Sequence, residues 1–138
     1  MKLFITIVTI FSCLLGCTEN APIEDPEKAY WSYENAARNE DWESYKRYLP
    51  ENLVTSLERK WKSNPDLFNK EKKFLFLSAL NYFENIQTEN LQISKKKATL
   101  TLSGTGISGS DIGKKIVWKV EMIQEKNSWK ISDVSVLE

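Results

Sequence analysis

Residues 86–103 read IQTENLQISKKKATLTLS, and the period of their apolar positions decides the fold class. Leu91 and Ile93 alternate with polar residues, and Lys95-Lys96-Lys97 makes a charged turn. Beyond it Ala98, Leu100 and Leu102 face one way while Thr99, Thr101 and Ser103 face the other. A period of two marks a half-buried strand, because successive side chains leave a pleated strand on opposite faces. The stretch predicts two strands of one sheet joined at the lysines.

The same period continues toward the C terminus. Residues 104–113, GTGISGSDIG, read as a loop rich in glycine and serine. In KKIVWKVEMIQ, residues 114–124, Ile116, Trp118, Val120 and Met122 share a face. Glu125 to Ser128 is a hairpin turn. The last strand opens with Trp129 and Ile131, then slips phase to Val134 and Val136. One extra residue near Ser132-Asp133 would keep all four on the core face, which predicts a β-bulge there.

Toward the N terminus, over residues 26–84, the pattern becomes helical. Asp25 can cap the first helix and Pro26 suits its first position. Ala29, Tyr30, Tyr33, Ala36 and Ala37 form its apolar face, and Asn39 stops it. Asp41 caps a short second helix bearing Trp42, Tyr45 and Leu49, which Pro50 ends. A third carries Leu53, Leu57 and Trp61 up to Asn64-Pro65. In DLFNKEKKFLFLSALNYFE, residues 66–84, Asp66 is a cap candidate and Phe68, Leu75, Ala79 and Tyr82 share a face. FLFLSAL could be a buried strand, but its Leu and Ala content and the length of the segment favour a helix. Helices first and strands afterward give α+β, not alternating βαβ.

Composition limits the chemistry. The 138 residues carry 19 basic and 19 acidic side chains and no histidine. There is no broad basic field for nucleic acid, and the commonest general base and metal ligand is missing. Five Trp, five Tyr and six Phe argue for a packed domain. The two cysteines, Cys13 and Cys17, both lie near the start, so the body of the chain has no thiol for a disulfide, a nucleophile or a zinc site. No metal or cofactor is expected.

Residues 1–17, MKLFITIVTIFSCLLGC, open with Lys2 and an apolar run too short to span a bilayer, which needs about 20 apolar residues. The run suits a secretory leader. Its end, Leu14-Leu15-Gly16-Cys17, resembles the lipobox of bacterial lipoproteins: a branched apolar residue, a tolerant position, a small residue, then the cysteine that is acylated. The resemblance implies cleavage between Gly16 and Cys17 and palmitate-type chains on Cys17. More than one acyl chain gives stable anchoring. An ordinary secretory leader with a coincidental cysteine is the alternative. The expected organisation is therefore a signal peptide over 1–16, a lipidated tether over 17–25 and one α+β domain over 26–138. Thr18, where an Asp would retain the protein at the inner membrane of a Gram-negative cell, favours the outer membrane.

The body of the chain is similar to the nuclear transport factor 2-like (cystatin-like) superfamily, and most like its lumazine-binding-like lipoprotein domains of unknown function. The likeness rests on amphipathic helices with an acidic break, Asn39-Glu40-Asp41-Trp42, and a strand meander ending Trp129-Lys130-Ile131-Ser132-Asp133-Val134. It implies N-terminal helices packed on a curved four-stranded antiparallel sheet, a cone whose mouth can hold a pocket. Many members carry a strand between the second and third helices, and none is obvious here.

Trp31, Tyr33, Asp111, Trp118 and Asp133 are the candidate pocket or rim residues. Aromatics would suit an apolar guest, although core packing also accounts for them. Asp111, Asp133 and Glu121 could form an acid/base pair if two of them converged in a cleft. Solvated surface acids are the simpler account. The glycine-rich loop lacks the spacing of a phosphate cradle, and Lys95–Lys97 and Lys114-Lys115 read as solvated turns or edge protection, with lipid head-group contact as the alternative. The expected function is a lipid-anchored envelope protein that binds a small apolar ligand or a protein partner without catalysis, with a homodimer allowed by the family. Alternatives are a small enzyme using carboxylates and tyrosines, such as Tyr30, Tyr45 and Tyr82, and a structural surface protein without a pocket.

Overall fold

The computed structural model describes residues 23–137. Cleavage at Gly16, the lipid on Cys17 and the first part of the tether lie outside the described residues. The chain forms α1 (Pro26–Arg38), α2 (Trp42–Tyr45) running into a 3-10 turn (Lys46–Tyr48), α3 (Glu51–Ser63) and α4 (Asp66–Ala79). Four strands follow: β1 (Phe83–Ser94), β2 (Lys97–Gly106), β3 (Lys115–Glu125) and β4 (Ser128–Leu137). The fold is α+β, with helices first and an antiparallel sheet in the order β1-β2-β3-β4.

Local chemistry sets the helix ends. The carboxylate of Asp25 accepts the backbone N–H groups of Glu27 (2.9 Å) and Lys28 (3.2 Å), satisfying donors that a first helical turn leaves free. Pro26 supplies the preset φ at the first position. At the far end Asn39 donates its side-chain amide to the carbonyl of Asn35 (3.0 Å), and Glu40 turns the chain through a left-handed φ of 53°. Asp41 then accepts the N–H of Ser44 (3.2 Å) and starts α2.

The sheet is a meander whose inner face holds the core. Ala98, Leu100 and Leu102 of β2 stand opposite Met122, Val120 and Trp118 of β3, and all six are buried. Against them pack Ala29, Tyr30, Tyr33, Ala36 and Ala37 from α1, with Trp42, Tyr45, Trp61, Phe76 and Ala79 from the other helices. Each fully buried large apolar side chain contributes about 1.5–3 kcal/mol. The predicted bulge is present: Glu121 pairs with Asp133 and Met122 with Ile131, leaving Ser132 as the extra residue. Its hydroxyl donates to the carbonyl of Glu121 at 2.9 Å.

Several expectations need correction. The bulge does restore the phase, since Val134 and Val136 pair with the core residues Val120 and Trp118. Yet both valines are exposed, Val136 to 68%, because β4 is an edge strand and no described element covers that end. Ile93, opposite the buried Ala98, is likewise exposed at the tip of the other edge strand. In α3 the inward positions are Val54, Leu57 and Trp61, and Leu53 faces solvent. α4 stops at Ala79, so Tyr82 lies beyond it and is exposed; FLFLSAL is helical up to that point. Asp66 sits in the first turn of α4 and makes no capping bond. β1 begins at Phe83, ahead of Ile86, and β2 runs on through Gly106 into the expected loop. Gly106 is fixed there by N–H donation to the carbonyl of Lys114 (3.0 Å) and by accepting from Gly113 (2.9 Å).

Candidate functional site

The centre of the fold is a set of aromatic rings joined by hydroxyl and indole groups. The hydroxyl of Tyr30 accepts from the side-chain amide of Asn81 (2.7 Å) and from the indole N–H of Trp118 (3.2 Å). Asn81 in turn places its backbone N–H 3.5 Å from the carboxylate of Glu34, which Arg38 holds at 2.6 Å. On the next turn of α1, Tyr33 stacks on Tyr45 at 4.8 Å, and their hydroxyls lie 3.1 Å apart. The Tyr45 hydroxyl also reaches the carbonyl of Leu75 at 3.2 Å. Burial pushes the hydroxyls of Tyr30, Tyr33 and Tyr45 above the ordinary phenol range, so all three stay protonated in neutral solution. The indole N–H of Trp129 is buried and meets no acceptor among the described residues.

Of the candidate residues, three gather around one ring. Trp31 packs its edge on Tyr30 at 5.1 Å and is partly buried. Tyr33 lies 6.3 Å from Tyr30, and Trp118 donates to the Tyr30 hydroxyl while packing on Phe83 at 4.8 Å. Tyr33 and Trp118 are buried, and Trp31 is half-buried at the edge of the set. Asp111 and Asp133 are exposed and stand apart from this cluster. Asp111 faces Lys114 at 3.4 Å within the β2–β3 connection. Asp133 stands opposite Glu121 on the outer sheet face. Lys119 bonds Glu121 at 2.8 Å and holds its carboxyl below the usual range, the reverse of what a proton donor needs. Glu51, Glu71 and Glu89 are held low in the same way by Lys126, Lys60 and Lys115.

Four clefts lie on the described residues, with volumes between about 230 and 310 Å3. One, between the end of α1 and α2, is lined by Asn35, Asn39, Asp41, Ser44 and Arg47. Another follows the outer side of the bulge, past Lys97, Glu121 and Ser132. None is lined by the five candidate residues. Among the described residues no cluster of acidic or cysteine side chains has the arrangement of a metal site.

The least expected surface is the outer side of α4. Phe76 and Ala79 of this helix are buried, and Leu67, Phe68 and Leu75 pack partly against the core. Glu71 is tied to α3 by Lys60 and by the indole N–H of Trp61 (2.8 Å). Those contacts fix the rotation of the helix. Lys70, Lys73, Phe74 and Leu77, spaced as one helical stripe, are left on the outside. Phe74 is 71% exposed and Leu77 48%. Neither Lys70 nor Lys73 has an ion-pair partner among the described residues.

Sequence reasoning did not single out this stripe, Glu34 or Asn81. The signal for the stripe is in FLFLSAL, whose apolar residues are too continuous for a one-sided helix. Glu34 and Asn81 gave none, because their pairing joins residues far apart in the chain. No model of a known protein family matches the chain, and no curated protein matches it.

Proposed function

We propose that the chain is a bacterial envelope lipoprotein, anchored through acyl groups on Cys17, whose domain works through surface contacts and not by catalysis. The observation that carries the anchor is Leu14-Leu15-Gly16-Cys17 at the end of an apolar leader. Thr18 directs the mature protein toward the outer membrane if the host is Gram-negative. The helices-then-meander order, with a bulged last strand, supports a nuclear transport factor 2-like cone.

Surface contact is favoured over an internal ligand by what fills the space between helices and sheet. Tyr30, Tyr33, Tyr45 and Trp118 occupy it and bond one another, so a guest would have to displace paired polar groups as well as rings. Surface contact is favoured over catalysis by the state of the acids: Glu51, Glu71, Glu89 and Glu121 are held low by lysines, and Asp41 by the hydroxyl and N–H of Ser44.

Expression of the full chain in a bacterial host, with mass spectrometry of the mature product, tests the anchor. The expected product begins at Cys17, carries acyl mass there and fractionates with membranes. Cys17→Ser abolishes both. A soluble mature protein with an unmodified cysteine would refute the proposal.

A further inference from the structure

We infer that the outer stripe of α4 seats the domain on an anionic lipid surface, with Phe74 and Leu77 among the headgroups and Lys70 and Lys73 on lipid phosphates. The inference rests on the reading of Cys17 as the anchor and adds to it the face that the domain turns to the bilayer.

The tether alone does not choose that face. Eight residues lie between Cys17 and Pro26, and the nine steps from one to the other span at most about 32 Å when extended. A domain of this size has a radius of gyration near ~13 Å. The tether therefore leaves many orientations of the domain open, and surface chemistry decides among them. It also keeps the domain close, so a patch too weak to bind lipid by itself is engaged once tethered.

The α4 stripe has the composition of an interfacial helix. Its two exposed apolar side chains sit among lysines that form no ion pair among the described residues. Lysine stems lie along apolar surface while their heads reach phosphate. Basic side chains near an anionic leaflet are attracted to it, and those next to apolar anchors add to the same contact. The stripe is rigidly presented, because Phe76 and Ala79 are buried on the opposite side and Glu71 is tied to α3. No described helix is long and apolar enough to cross a membrane, and a seated helix has no need to be. The other exposed apolar residues do not combine two apolar anchors with unpaired lysines: Ile93 stands beside Lys95–Lys97 as a single exposed apolar residue on its strand, Val134 and Val136 follow Asp133 on an edge strand, and Ile107 and Ile112 belong to a glycine-rich turn.

A single spin label provides the test. Cys13 leaves with the leader and Cys17 carries lipid, so Leu77→Cys is the only free thiol of the mature protein. The acylated, labelled protein is placed in vesicles of phosphatidylethanolamine with phosphatidylglycerol, and its accessibility to oxygen and to a water-soluble nickel chelate is compared. The expected result is a severalfold rise in the oxygen-to-nickel ratio relative to the same label at Gln92→Cys on the sheet. Lys70→Glu with Lys73→Glu, or phosphatidylcholine vesicles, should lower it. Equal ratios at both positions would overturn the inference while leaving the anchor intact. So would a label shielded from both reagents, which would indicate a protein partner or a second copy on the stripe. Absence of acyl mass in the same sample would overturn the anchor, and the inference with it.

Discussion

The indole N–H of Trp118, on a central strand, donates to the hydroxyl of Tyr30, on the first helix, at 3.2 Å. The two residues are 88 positions apart, and both are almost wholly buried. The bond sets how α1 lies on the sheet, because Asn81 at the entry to β1 donates to the same oxygen.

Tyr30→Phe removes that shared acceptor and leaves two donors, on Asn81 and Trp118, unpaired. A buried donor without a partner costs about 1–3 kcal/mol. Urea unfolding followed by circular dichroism should show a loss in that range. Trp118→Phe should couple with it, the double variant losing less than the sum of the singles. Trp129→Phe should cost less than Trp118→Phe, because its indole N–H meets no acceptor among the described residues. Additive losses for Tyr30 and Trp118 would show that the bond contributes nothing.

Stability should fall in alkali. Burial raises the folded-state pKa of Tyr30, Tyr33 and Tyr45 above the ordinary value of 10.0. The folded state then holds protons that the unfolded chain releases. The tyrosine contribution is complete below pH 10 and is lost as pH rises through and beyond that value. Unfolding free energies measured from pH 8 to pH 11.5 should decline with a slope that Tyr45→Phe reduces. An unchanged slope in that variant would exclude Tyr45 as a source. In acid, the ion-paired Glu51, Glu71, Glu89 and Glu121 act in the opposite sense, and their contribution disappears as pH falls through their lowered pKa values.

Deletion of Ser132 should be tolerated. It joins Ile131 directly to Asp133, so the pairs Met122–Ile131 and Glu121–Asp133 become consecutive rungs of a regular ladder. Every inner residue of β4 keeps its face, and only the local twist of the bulge is lost. The deletion should cost within the ordinary range of about 0.5–3 kcal/mol. Deletion of Thr101 is the contrast, because β2 pairs with β3 without a shift and a missing residue turns one half of β2 inside out. That variant should fail to fold. Similar melting temperatures for the two deletions would argue against the register described.

Gly106→Ala should open the β2–β3 connection. A Cβ at this position would stand 2.2 Å from the carbonyl oxygen of Asp111, a backbone atom that cannot yield without moving the turn. The bridge between Gly106 and Ile112 should break. Hydrogen exchange at the N–H of Gly113, which donates to Gly106, should become markedly faster, with the core amides unaffected. Gly109→Ala meets no neighbour but requires a φ of 63°, so it should strain the turn without that loss of protection.

Much of the architecture was legible because it is local. Asp25-Pro26 announces a helix start, and the alternation at Ala98, Leu100 and Leu102 announces a strand. The slip from Ile131 to Val134 announces a bulge, since a period-two pattern has only one inexpensive way to change phase. The candidate site was legible only in part. Trp31, Tyr33 and Trp118 were named as a group and do gather around Tyr30, with Tyr33 and Trp118 buried and Trp31 half-buried. Asp111 and Asp133 were named with them and sit elsewhere, because nothing in the chain between two distant carboxylates says whether they converge.

The sequence by itself determined the order of helices and strands, the caps at Asp25 and Asp41, the bulge and the apolar run ending at Cys17. Each is written in neighbouring residues, through hydrogen bonds and periodicities only a few positions long. Only the tertiary structure decided which apolar residues are covered. Phe74 and Leu77 are as hydrophobic as Phe76, and Val136 as Val120, yet the first of each pairing is exposed and the second buried. Burial depends on where helices and sheet meet, and a sheet edge or an outer helix face has nothing beside it to exclude water.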